Sequence, residues 1–148
     1  MSFLSTLNIS GSGMTAQRLR LDVAADNIAN IETTRTEDGG PYRRKMVVLE
    51  AKQPSFAQIL ASTAAGQQVN PAGSGVRAAE VIDDETDLKP VYDPEHPDAD
   101  ENGYVQMPNI DLVKETADAM AASHAYQANI TAFNTTRQMA QSALEIGR

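Results

Sequence analysis

The chain has 148 residues, a length that suits one domain or one small domain carrying long extensions. Apolar residues make up 41% of it, but aromatics only 5%, with no Trp and much of the apolar count supplied by Ala, so a core built around a large enclosed pocket is excluded. A net charge of −8, with Arg43, Arg44 and Lys45 as the one tight basic cluster, excludes a nucleic-acid stripe, and zero cysteines exclude disulfide frameworks and thiolate metal sites.

Residues 1–32 form the first segment. Met1-Ser2-Phe3-Leu4-Ser5 has no basic stretch followed by an apolar run, so no Sec-type signal peptide is expected there. From Phe3 to about Ile31 the pattern is helical. Leu7, Met14, Leu21 and Ile28 recur at seven-residue steps, and Leu4, Gly11 and Ala25 lie three residues before members of that series. The result is a narrow heptad-like seam, interrupted by Arg18. Gly11 and Gly13 each cost about 1 kcal/mol relative to Ala inside a helix, so this one is marginal by itself.

Residues 33–108 read as a small antiparallel β-rich module with long loops. Glu37-Asp38-Gly39-Gly40-Pro41 is a strong turn signal, and Tyr42 to Glu50 follows as a strand. About Pro54 to Gly75 is rich in Ala, Ser, Gln and Gly and reads as a flexible connection with one helical turn near Phe56–Leu60. Val76 to Ile82 and Leu88 to Tyr92 are two further strands. Asn102-Gly103 reads as a tight hairpin leading into Tyr104-Val105-Gln106-Met107. Ten of the twenty acids fall between Glu80 and Glu101, with Lys89 the one base there; such a run is either a solvated loop or a docking surface for a basic partner.

Residues 109–148 give the longest helix, from Asn109 as the expected N-cap to a stop at Gly147, with Asp111 and Glu115 suited to the positive end of its dipole. Leu112, Ala119, Tyr126, Phe133 and Ala140 recur at seven-residue steps, with Thr116, Ser123, Ile130 and Leu144 in the half-period. A neighbouring stripe runs through Val113, Ala117, Met120, Ala128, Ala132, Thr135, Met139, Ala143 and Ile146, interrupted by His124. Two stripes make an apolar face wider than one partner helix covers. The first helix covers one stripe, the β module is too short to cover a helix of about 55 Å, and other protein chains are expected to take the rest. The fold class is therefore α+β, with the terminal helices packed as a coiled-coil-like pair around a small antiparallel middle.

Sites for chemistry are weak. Asp98-x-Asp100-x-Asn102-Gly103 matches the first half of a calcium loop, but Asn109 stands where a bidentate Glu is needed and Pro94 and Pro97 block a preceding helix. Gly11-Ser12-Gly13 and Gly73-Ser74-Gly75 lack the further Gly and the Lys-Ser/Thr of a phosphate loop. His96 and His124 are far apart in sequence, and no nucleophile–base pair stands out. No enzyme activity, cofactor, metal, nucleic acid or small-molecule substrate is expected.

Ala16-Gln17-Arg18-Leu19 and Val23-Ala24-Ala25-Asp26-Asn27-Ile28-Ala29-Asn30 resemble the opening of the flagellar rod and hook proteins, whose signature is an Ala-x-Asn-Ile/Leu-Ala-Asn run. Asp38-Gly39-Gly40-Pro41-Tyr42-Arg43, Asn102-Gly103-Tyr104-Val105-Gln106-Met107-Pro108-Asn109-Ile110-Asp111 and Met120-Ala121-Ala122-Ser123-His124-Ala125-Tyr126-Gln127-Ala128-Asn129-Ile130 resemble the proximal-rod members of that family. The resemblance implies a structural subunit of the basal-body rod, exported by the flagellar type III apparatus without a cleaved signal. It would polymerise through its terminal helices into a periplasmic drive-shaft. Implied partners are other copies, the other proximal and distal rod subunits, the adaptor to the MS ring and the export apparatus. Candidate interface residues are Leu7, Met14, Leu21, Ile28, Leu112, Ala119, Met120, Tyr126, Ile130, Phe133, Met139 and Leu144. Asn27 and Asn30 are candidates for hydrogen bonds that fix the register of packed helices. The alternative is a coiled-coil adaptor or export chaperone; a small acidic metalloprotein is a further one.

Overall fold

In the computed structural model, residues 3–37, 39–54, 56–64 and 75–146 are described. Asp38 of the expected turn, residues 65–74 of the expected connection (with Gly73 and Ser74) and the expected stop at Gly147 lie outside them.

The first helix, α1, spans Phe3–Ala29. It ends in the signature run, where Asn30 N donates to both Asp26 O (3.1 Å) and Asn27 O (3.3 Å), and Ile31 N donates to Ile28 O. The Asn30 side chain supports this tightened last turn by donating from Nδ2 to Asp26 O at 2.9 Å. The last helix, α3, spans Leu112–Ile146. Its cap is Asp111 and not the expected Asn109: Val113 N donates to Asp111 Oδ1 at 3.0 Å and Glu115 N to Asp111 O at 2.9 Å. Asn109 is occupied elsewhere, holding the backbone of Arg44.

Between the helices lie β1 (Lys45–Ala51), α2 (Phe56–Ala64), β2 (Val76–Asp83), β3 (Lys89–Tyr92) and β4 (Tyr104–Met107). The fold is α+β, with long terminal helices packed together and a small middle of two antiparallel two-stranded sheets. β1 pairs with β2, the ladder closing through Asp84 N to Arg44 O at one end and Lys52 N to Gly75 O at the other. β3 pairs with β4 in the register Lys89↔Met107 to Tyr92↔Tyr104.

Two local expectations change. The helical turn near Phe56–Leu60 is a nine-residue helix, α2. Asn102-Gly103 does not make a two-residue hairpin, because that turn needs positive φ at both positions and only Gly103, at +80°, has it. The β3–β4 loop instead folds around Asp100, whose Oδ1 accepts from Asn102 N and Tyr104 N, both at 2.9 Å. Tyr92 and Tyr104 then meet edge to face, their ring centroids 5.3 Å apart.

The contacts divide the chain into two compact units. One comprises Met1–Arg18, Leu49–Ala79 and Ser123–Arg148, the other Leu19–Val48 and Glu80–Ala122, so each helix contributes to both. In the first unit, Ser10 and Ala16 are buried. Here the Gly11-Ser12-Gly13 stretch is a packing notch. Ser12 Oγ accepts from Val76 N at 3.1 Å, anchoring the start of β2, and Gly75, at φ +85°, lies against Ser12 where a Cβ would collide. Gly13 leaves space for Asn129 of α3; a Cβ there would sit 2.8 Å from its Oδ1. In the second unit, Val23, Ala24, Asn27, Tyr42, Val105, Pro108, Ile110, Glu115 and Ala122 are buried.

Candidate functional site

Two features stand out, both built on the terminal helices: a buried polar cluster and an exposed apolar face. The cluster centres on Asn27, 1% exposed, in the last turns of α1. Its amide uses its full capacity of two acceptor and two donor bonds. Oδ1 accepts from Lys45 N (2.9 Å) and from the Tyr42 hydroxyl (3.2 Å). Nδ2 donates to Lys45 O (2.9 Å) and to Glu115 Oε2 (3.0 Å). Asn27 therefore pairs with the start of β1 as another strand residue would, and reaches α3 as well.

Glu115 is also 1% exposed, and a buried carboxylate requires a charged partner. Arg44 supplies it, with Nε donating to Glu115 Oε1 at 2.6 Å. The same guanidinium reaches Asp118 at 3.3 Å and Asp84 at 3.6 Å. Burial pulls the Arg44 pKa down, but the hydrogen bond and charge of Glu115, with Asp118 and Asp84, outweigh it and hold the guanidinium more firmly protonated. Burial pushes the Tyr42 phenol up, and the carboxylates of Asp26, Asp83 and Glu115 add to this. Asp84 is held below the ordinary carboxylate range by the backbone N–H and then the hydroxyl of Thr86, with Arg44 adding its charge. Asn109 completes the surround: Oδ1 accepts from Arg44 N (2.9 Å), and Nδ2 donates to the Thr86 hydroxyl (2.8 Å). Lys89 Nζ donates to Ile110 O just before α3.

On α3 the covered row is Glu115, Ala119, Ala122, Tyr126, Asn129, Phe133, Thr136 and Ala140, spaced alternately four and three residues apart. Ala119, Tyr126, Phe133 and Ala140 of the expected seven-residue series belong to it. Of the expected half-period members Thr116, Ser123, Ile130 and Leu144, only Ser123 is half-buried, and the regular half-period places fall one position earlier, at Glu115, Ala122, Asn129 and Thr136. Small and polar residues fill these half-period places, and Tyr126 and Phe133 are the large side chains of the row.

The neighbouring stripe lies open. Val113 is 77% exposed, Met120 57% and Met139 66%, and Ala117, Ala128, Ala132, Thr135 and Ala143 of the same stripe are exposed too. Leu112, Ile130 and Leu144, from the other series, also face solvent. Leu7, Met14, Leu21 and Ile28 of α1 are half-buried, as is Asn30. Among these candidates the structure brings only Asn27 into the polar cluster. Glu115, Arg44, Tyr42 and Asn109 were not singled out for it from the sequence; the one available signal was a Glu at a heptad position of the covered row.

Among the described residues, no three His, Asp or Glu side chains converge as a metal would require, and no helix is long and apolar enough to cross a membrane. Asp98, of the calcium-like run, accepts from the Thr34 hydroxyl at 2.8 Å.

Sequence comparison assigns the class. The family model described as "Flagella basal body rod protein" matches residues 7–35, which contain Asn27, and that described as "Flagellar basal body rod FlgEFG protein C-terminal" matches residues 101–146, which contain Glu115. The two ends that meet in the cluster are those of structural subunits of the flagellar basal-body rod. The chain is 45% identical over 152 residues to the flagellar basal-body rod protein FlgC of Bacillus subtilis, covering 100% of both proteins. It is 43% identical to FlgC of Borreliella burgdorferi over 99% of the chain and 98% of the relative, and 42% identical to FlgC of Salmonella typhimurium over 100% of each. The chain belongs to the FlgC family: it is a structural rod subunit of the flagellar basal body.

Proposed function

We propose that this subunit builds the proximal part of the rod, polymerising through α1 and α3 into the shaft that carries torque across the periplasm. The observation that carries the reading is the open stripe on α3, from Val113 to Ala143. A face of that length, apolar and without partner charges, is costly to leave in water and matches a neighbouring helix better than a small ligand. Neighbours of this kind are other copies, the other proximal and distal rod subunits and the adaptor to the MS ring. The type III export apparatus, acting without a cleaved signal, is the proposed route to that position.

The test is a strain lacking the chromosomal gene and complemented with the Val113→Asp, Met139→Asp double variant. Both side chains are exposed, so the purified monomer should melt as the parent does. Motility should be lost and rods should stop near the inner membrane. Swimming at the parental rate would refute assembly through this face.

A further inference from the structure

The covered rows of α1 and α3 share one antiparallel alignment. Gly13 lies against Asn129 and Asn27 against Glu115, so fourteen residues forward on α1 correspond to fourteen residues back on α3. Fourteen is two heptads, and a slide of one heptad would again set row against row. Around the cluster shape does little to forbid it: Ala24, Ala119 and Ala122 are too small to interlock with one partner only, and the large side chains of the row, Tyr126 and Phe133, lie further along α3.

We propose that Asn27, Glu115 and Arg44 form a register lock, selecting one of several heptad alignments of α1 and α3 that packing alone leaves close in energy. In the observed alignment every polar atom of the trio is engaged, and no buried side-chain nitrogen or oxygen among the described residues lacks a partner. A slide of one heptad sets Asn27 opposite Ala122. The Asn27 amide then loses Glu115, and a carboxylate now 1% exposed loses one of its two side-chain partners. Burying a charge with its partners missing costs far more than a shape mismatch among alanines. Replacing such a group with apolar side chains is often neutral for stability, and a single buried Asn that sets helix register is the best-attested use of buried polarity. The lock is three-way, because Asn27 also holds both backbone groups of Lys45, and so ties β1 to the same choice.

Engineered disulfides report the alignment in the full chain, which has no native cysteine. The observed register brings Val23 opposite Ala119, and a slide of one heptad brings it opposite Tyr126. Val23→Cys with Ala119→Cys is therefore the native reporter, and Val23→Cys with Tyr126→Cys the slipped one. In the parent background the native pair should oxidise readily and the slipped pair only in trace. With Asn27→Leu, Arg44→Met and Glu115→Leu together, helix content should persist by circular dichroism and both pairs should oxidise to similar yield. Retained helix with the native pair alone oxidising would overturn the lock. Should the triple variant lose its helix signal, Glu115→Gln decides. It keeps the shape and a bond to Asn27 but removes the charge assistance that roughly doubles such bonds, so slipped product should rise at least about threefold over the parent. An unchanged ratio there would equally overturn it.

Discussion

Asn27 and Glu115 stand 88 residues apart in sequence and 3.0 Å apart in the fold, joined by a fully buried hydrogen bond. Asn27 lies in the signature run that closes the first helix and Glu115 in the first turn of the last, so the end of one helix and the start of the other meet at a polar point.

Asn27 and Asn30 share that signature but have different roles, and substitution should separate them. Asn27→Ala removes four hydrogen bonds and leaves the Lys45 backbone and Glu115 undersatisfied, a loss of about 2–4 kcal/mol. Asn30→Ala removes an exposed bond to Asp26 O and a half-buried bond from the Thr33 hydroxyl at the helix end, a loss of about 1–2 kcal/mol. Urea unfolding of the purified monomers measures both.

Gly75 and Gly39 form a second contrast. Both have positive φ, but an added Cβ at Gly75 meets Ser12, while Gly39 has nothing within 4 Å. Gly39→Ala should cost about 1–2 kcal/mol from backbone strain alone. Gly75→Ala should cost more, and adding Ser12→Ala should not restore the parent, because the Ser12 hydroxyl also holds Val76 N. Thermal melts of the three variants check the order.

Asp84 predicts an acid dependence. Its folded pKa lies below the ordinary value, chiefly through the Thr86 backbone N–H, so as pH falls the unfolded chain takes up the proton first. Its contribution is therefore full above the unfolded pKa of about 3.9 and is lost as pH drops through the lower folded value. Asp84→Asn should be less stable than the parent at pH 6, with the gap closing below about pH 4 in urea midpoints.

Tyr42 predicts the opposite limb. Burial raises its folded pKa, so its contribution is full below the unfolded value of about 10 and is lost as pH rises through the folded one. In an ultraviolet titration the Tyr42 phenol should ionise above the ordinary tyrosine range. Tyr42→Phe should abolish that late step and cost about 1 kcal/mol through the lost bond to Asn27 Oδ1.

The two helices, the strands near 45–51, 76–83, 89–92 and 104–107, and the family were all legible in the linear pattern. So was the stripe from Val113 to Met139, because a charge-free run at helical spacing is visible without a partner. The polar cluster was not legible as a whole. Arg44, set in a basic triplet beside a strand, looks like any surface base until α3 brings Glu115 to it. Asn109 looked like a helix cap because it follows a proline, yet Asp111 two residues on competes for the same N–H groups and wins them.

Local sequence determined which segments are helical and how much apolar surface they carry, because periodicity and turn chemistry act within a few residues. Which row of each helix faces the other was decided only in three dimensions. Rows one residue apart are related by about 100° of rotation and look almost equally good when small side chains line both. The rows that do face each other bring together a hydrogen-bonded carboxylate, amide and guanidinium from three separate segments, and no single segment contains the information that they will meet.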